Sequence, residues 1–271
     1  MRPRSHLLVH ALAALWLAAV APHAWAHDTW FEPRAAGNPA DVVMALGTGN
    51  QFPLLEYPIG IEQLRAQGCR RGDARAVPLV ALRALSSTLV IHADVGRDTG
   101  DAAVSCWAQL MPFDIELAPD KIELYLKEVH PPQAVLDAWA EMRSRGLAWK
   151  ERYTKHARIE FAGSGAAQPV AMGMDVLLES GLGTVRAGDP LVFRVLRDGV
   201  PLPDFAVELR GDRSRLGIWR KTDAEGRVRI TAPLAGKWVL RGVDLRLSES
   251  LPDTWESRFV TLAFEVAEKM H

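Results

Sequence analysis

Residues 190–199 read Pro-Leu-Val-Phe-Arg-Val-Leu-Arg-Asp-Gly, and this stretch decides the fold. Leu191, Phe193 and Val195 alternate with Val192, Arg194 and Leu196, the period of two that sends successive side chains to opposite faces of a strand. Arg197-Asp198-Gly199 then supplies a hairpin turn. Strands are expected again at 175–179, 205–209, 217–221, 227–231, 237–243 and 259–266, with a second hairpin turn at Asp223-Ala224-Glu225-Gly226. Short strands at such spacing predict an antiparallel β-sandwich of immunoglobulin-like or prealbumin-like type over residues 174–268.

Moving back along the chain, residues 163–169 are small and polar and mark a domain boundary. Residues 27–165 before it form a β-rich domain, with strands expected at 41–46, 77–85, 88–93, 103–110, 113–117 and 152–161. Gly47-Thr48-Gly49-Asn50 reads as a breaker after the first of these. Between the last two the period changes. Pro119-Asp120 opens a helix, Ile122, Leu124, Leu126 and Val129 give it apolar contacts, and Pro131-Pro132 stops it. A second helix begins at Gln133, with Val135, Ala138, Trp139 and Met142 on one stripe and Gly146 as its cap. The predicted class is therefore mainly β: an N-terminal β-rich domain with an inserted helical hairpin at 119–146, plus the C-terminal sandwich.

The first 26 residues read as an export signal. Arg2 and Arg4 make the basic start, residues 7–20 an apolar run too short for a comfortable span, and Ala24-Trp25-Ala26 a cleavage signal. The expected location is the bacterial periplasm, with no direct membrane insertion. Loss of Arg2 and Arg4 takes the formal charge from −1 to −3, and such a balance argues against nucleic acid or an anionic membrane surface as partner. Cys69 and Cys106, an even count in an oxidising compartment, predict one disulfide, worth about 4 kcal/mol in the chain-entropy model. The competing reading, a thiolate metal site, lacks the C-x-x-C spacing.

A cut after Ala26 would leave His27 first. That residue would offer a free α-amine and an imidazole Nδ1, which together close a chelate ring on a metal. The amine's ordinary pKa of about 7.7–8.0 lets a metal displace its proton near neutral pH. The bland alternative is that some residue must follow the cut. His92, with Asp94 two residues on, and His156, on a strand face with Arg152 and Thr154, are the other candidates; His130 reads as a helix cap and His271 as a chain end. The elbow, phosphate-loop, dinucleotide and zinc-protease motifs are all absent, so no catalytic residue is assigned.

Several blocks together resemble a bacterial exported family known as domain of unknown function 4198. They are His27-Asp28-Thr29-Trp30-Phe31-Glu32-Pro33, residues 113–129, residues 149–158, Thr222-Asp223-Ala224-Glu225-Gly226, Gly236-Lys237-Trp238 and residues 253–257. Arg158 stands where that family's block often has Lys. The resemblance implies a likeness to periplasmic nickel and cobalt uptake components and carries the first-residue histidine. The leading expectation is a periplasmic accessory protein that binds nickel, cobalt or copper and serves a membrane transporter. His27 would be joined by His156, preferred over His92, and Asp28 or Glu32 would add an oxygen. A non-catalytic module for an envelope partner or glycan is the second class, with Trp30, Trp149, Trp219 and Trp255 as contacts or core. A copper oxidase resembling the lytic polysaccharide monooxygenases is the third.

Overall fold

A computed structural model describes residues 27–38, 40–96, 101–214 and 216–269. The expected export signal, its cleavage and His271 lie outside the described residues. The first strands are β1 (Asp28–Arg34), β2 (Asp41–Gly49), β3 (Tyr57–Pro58), β4 (Leu64–Arg71), β5 (Val80–Ala84), β6 (Leu89–Asp94), β7 (Val104–Leu110) and β8 (Phe113–Leu117). Helices α1 (Pro119–Val129) and α2 (Gln133–Ser144) follow, then β9 (Trp149–Phe161). The rest is β10 (Met174–Leu178), β11 (Pro190–Arg197), β12 (Val200–Pro201), β13 (Ala206–Gly211), β14 (Ile218–Lys221), β15 (Arg227–Thr231), β16 (Gly236–Leu247) and β17 (Thr254–Val266).

The centre is an eight-stranded sheet in the order β14-β13-β16-β17-β9-β7-β4, with β8 also on β9. Each face carries its own core, because side chains alternate along β9 and β17. Val260, Leu262 and Phe264 point toward the sheet of β10, β11, β12 and β15, meeting Phe193 and Val195. On the opposite face Ala157, Ile159 and Ala263 meet Phe31, Met44 and Ile91 from the sheet β1-β2-β6-β5. Further along that same face Trp149, Trp255 and Phe259 are covered by the helices. The architecture is a mainly β, layered sandwich, as the strand pattern predicts.

Local chemistry explains the helices. Pro119 sits in the first turn, where its missing N–H costs nothing, and Asp120 faces the positive end. Ile122, Tyr125 and Val129 are buried at helical spacing, while Leu124 points outward, against expectation. In α2, Val135, Trp139 and Met142 are buried, and Gly146 (φ 73) closes the end as Leu147 N–H reaches the Met142 carbonyl at 3.1 Å.

Three expectations need correction. Gly47-Thr48-Gly49 does not break β2 but completes it, pairing with β1 up to Asp28↔Gly49. A Cβ at Gly49 would collide with the Leu54 carbonyl and the Trp30 ring, so the glycine is there for close approach. The turn at 223–226 does not close a hairpin: β14 pairs with β13 in the central sheet, and β15 with β11 in the other. It carries the chain from one layer to the next. Finally, the boundary at 163–169 does fall between β9 and β10, yet the central sheet runs across it through the parallel pairing of β17 with β9. Cys69 and Cys106, directly opposed on β4 and β7, form the disulfide, which leaves no thiolate for a metal.

Candidate functional site

β1 lies across the helix-bearing face of the central sheet. Thr261 donates its hydroxyl to the Thr29 carbonyl at 2.6 Å, and the Thr29 and Thr48 hydroxyls meet at 2.8 Å. Lys237 pairs with Glu32 at 2.6 Å at the other end of the strand. His27, Asp28, Thr29, Trp30 and Phe31 are all buried. Trp30 packs edge-on to Phe52, and the His27 ring lies 4.9 Å from that of Tyr57.

Asp28 enters a buried polar junction. Its Oδ2 pairs with Arg241 Nε, and Arg241 Nη1 donates to Glu208 Oε2 at 2.8 Å. Arg210 reaches the same Glu208 oxygen at 2.8 Å. Burial works against the Arg241 charge, but the carboxylates of Asp28 and Glu208 outweigh it and hold its pKa above the ordinary value. Burial pulls Lys155 down to about 8, with Asp28 acting in the opposite direction. Burial raises the carboxyl of Glu128, on α1, which feels Arg241, Arg210, Asp28 and Glu208. Deeper on the same face, Glu151 accepts from Tyr125 and Trp149, each at 2.8 Å, and from Ser257. Burial raises its carboxyl too, and those donors only partly offset it.

The structure brings Asp28 together with Lys155 and not with His156. Tyr153, Lys155 and Ala157 share the face of β9 that meets β1 and the helices, whereas His156 and Arg158 point to the opposite side. There His156 Nδ1 donates to the Phe259 carbonyl at 2.9 Å, beside Gly173 and Arg258. His92 is on β6 opposite Val43, six positions along β2 from the partner of Asp28, roughly 20 Å away at strand rise. Its partner is Asp41, at 3.2 Å, rather than Asp94. Glu32 is held by Lys237 and Arg34. Among the described residues no three His, Cys, Asp or Glu side chains gather where they could hold a metal. Trp30, Trp149 and Trp255 are core, while Trp219 is half-buried and packs on the His130 ring at 3.9 Å.

His156 has a measurable consequence of its own. Burial first, and Arg258 after it, depress its pKa to about 4, against the Phe259 bond and Asp198, which favour the proton. The unfolded chain therefore takes up the proton first as pH falls. Stability from this residue is full above its ordinary value of 6.5 and is lost toward pH 4, by about 3 kcal/mol. Urea melts of the native chain and His156→Gln between pH 7 and 4 should show a shallower slope in the variant; parallel slopes would contradict it.

Fold and junction together define a class: a layered β-sandwich protein whose first strand buries an ion-pair junction against the central sheet. Residues 135–243 match the family described as Domain of unknown function (DUF4198). That description assigns no activity. No curated protein matches the chain. Among solved structures it is similar to the titin domains z1z2 in complex with telethonin, at 10% identity over 91% of this chain and 96% of that one, with TM-score 0.19. It is also similar to the D0-D1 domain of intimin, at 10% identity over 89% and 97%, with TM-score 0.19. At that score neither likeness carries an argument.

Proposed function

We propose that this chain is an exported, periplasmic accessory protein that binds a transition metal at its mature amino terminus, serving nickel, cobalt or copper handling. The donors are the α-amine and Nδ1 of His27, which a cut after Ala26 would unite, and Asp28 Oδ1. The observation that carries the reading is this carboxylate oxygen. It is buried beside His27 and accepts no hydrogen bond among the described residues, while Oδ2 is held by Arg241. A buried acceptor without a donor costs about 1–3 kcal/mol, so a cation there would relieve a standing penalty.

The junction gathers the carboxyls of Asp28, Glu128, Glu151 and Glu208 with the three cations Arg210, Arg241 and Lys155, so a cation at Asp28 Oδ1 would sit in acidic surroundings. Two nitrogens and a carboxylate oxygen suit Cu(II) or Ni(II), with selectivity left to geometry and supply. No chemical step is assigned. His156 and His92 have no part in this donor set.

The test is a titration of processed protein with Cu(II), Ni(II) and Co(II), beside a form with one extra N-terminal residue, His27→Ala, Asp28→Asn and His156→Ala. The extension and His27→Ala should weaken binding by tenfold or more, about 1.4 kcal/mol. His156→Ala should leave affinity unchanged. Equal affinities throughout, or an exported form that begins at another residue by mass spectrometry, would reject the proposal.

A further inference from the structure

β9 and β17 run side by side only as far as Ile159 and Ala263. Both strands continue beyond that point, β9 on β7 as far as Phe161 and β17 on β16 as far as Val266. The central sheet therefore forks. The connection between β10 and β11 ties the two arms together. Gly163 N–H donates to the Leu182 carbonyl at 2.8 Å, and Ala267 N–H to the Val185 carbonyl at 2.8 Å. Paired backbone thus borders the fork along both strands and across its open end.

A cavity of about 90 Å³ occupies the fork. Phe31 and Ile159 from one core and Leu178, Leu182, Val185 and Phe264 from the other line it, so the two cores meet here through the plane of the sheet. Interiors are otherwise packed to crystal density, and a void of this size equals the share of about three waters. A buried water needs about 2–4 polar partners, and these six side chains supply none. The space suits a short aliphatic chain instead.

The mouth is charged. Ala162, Gly183 and Glu265 are the exposed residues of the lining, with Glu32 and Lys237 beside them. A Cβ at Gly183 would meet nothing within 4 Å, so that lip is open. Lys237 is held by Glu32 at 2.6 Å, and Glu160 by Arg158 at 2.6 Å. Glu265, across the strands from Lys237, forms no ion pair and accepts no side-chain hydrogen bond among the described residues.

We infer that the fork is a binding site for a small aliphatic ammonium compound, whose chain fills the cavity and whose charged nitrogen pairs with Glu265 at the mouth. An apolar recess with one placed polar group is the usual build of a small-molecule site. An alcohol of the same length would gain the burial without the ion pair, and a carboxylate would meet Glu265 as a like charge. The site lies toward the other end of β1 from His27 and Asp28 and does not depend on the metal reading.

The experiment titrates the processed chain at pH 7 with n-butylammonium, n-butanol and butyrate, followed by methyl NMR. The ammonium should bind with a dissociation constant of about 1 mM and shift the methyls of Ile159, Leu182 and Val185. The alcohol should bind about three- to fivefold more weakly, the scale of an exposed ion pair, and butyrate at least about tenfold more weakly. Glu265→Gln should bring the ammonium down to the alcohol, and raised salt should do the same in the native chain. Gly183→Trp crowds the open lip and should remove binding of both; if it impairs folding, Ala162→Trp serves instead. Equal binding of all three compounds, no binding at about 20 mM, or shifts confined to other residues would overturn the inference. So would affinity retained in the folded tryptophan variant, or an ammonium preference that survives Glu265→Gln.

Discussion

Arg158→Leu is expected to destabilise the fold by about 3–5 kcal/mol, the range for removing one partner from a buried ionic cluster. Arg158 is wholly buried on the sandwich side of β9. Its Nε donates to Glu160 Oε1 at 2.6 Å, and Nη1 to both Asp175 oxygens at 2.9 and 3.0 Å. Nη2 holds the Gln168 carbonyl at 3.1 Å, pinning the connection between β9 and β10. Without the guanidinium, two carboxylates share an interior with no cation between them. Burial already raises both, and Arg158 is the chief counterweight. Their folded pKa values would rise further, so the deficit should narrow as pH falls and they protonate in the folded state first. Adding Glu160→Gln and Asp175→Asn should restore at least half of the loss. Arg158→Lys keeps the charge, but a single ammonium cannot span both acids, and about 1–2 kcal/mol should go. Urea unfolding at pH 7 and pH 5 checks all of this. A loss below about 1 kcal/mol for Arg158→Leu would show that the cluster contributes little.

Trp149→Ala should cost a similar amount, about 3–5 kcal/mol, by a different route. The ring is fully buried at the start of β9 and stacks on Trp255, centroids 4.8 Å apart at 15°. Trp139 of α2 meets it edge-on at 5.1 Å, and Tyr125 of α1 at 5.8 Å. Its Nε1 also donates to Glu151. One truncation would therefore open a cavity under both helices and remove a donor from a buried carboxylate. Hydrogen exchange should quicken first at 119–144, while β11 and β15 keep their protection. Trp149→Phe retains most of the contact surface and should lose about 1–2 kcal/mol. Unchanged exchange in the helices of Trp149→Ala would mean that they are held by other contacts.

Period and punctuation made most elements legible. β8, α1, the start of α2 and the C-terminal strands fall where alternation, helical spacing and proline place them. What could not be read were strands without alternation. β4 (Leu-Arg-Ala-Gln-Gly-Cys-Arg-Arg) has no apolar stripe and is fixed by β7 and its disulfide. β1 carries four consecutive buried residues because it lies between two layers, a pattern that periodicity does not flag. The candidate site was half legible. His27 and Asp28 stand out by position, but their real neighbours, Lys155, Arg241, Glu208 and Glu128, come from four other elements. Lys155 had one available signal: the alternation that sets it on a face with Tyr153 and Ala157, away from His156.

The parallel pairing of β17 with β9 has a kinetic side. Thr254 to Ala263 lie alongside Lys150 to Ile159, so the middle strand of the central sheet must wait for a segment about a hundred residues downstream. Contacts of such sequence separation demand large loop closure before any reward and give slow folding. Until β17 arrives, Phe31, Met44 and Ile91 on one side and Phe193 on the other lack the layer that divides them. A nascent chain would then expose two unfinished apolar surfaces at once, which makes holding by a chaperone until synthesis is complete a natural demand of this topology.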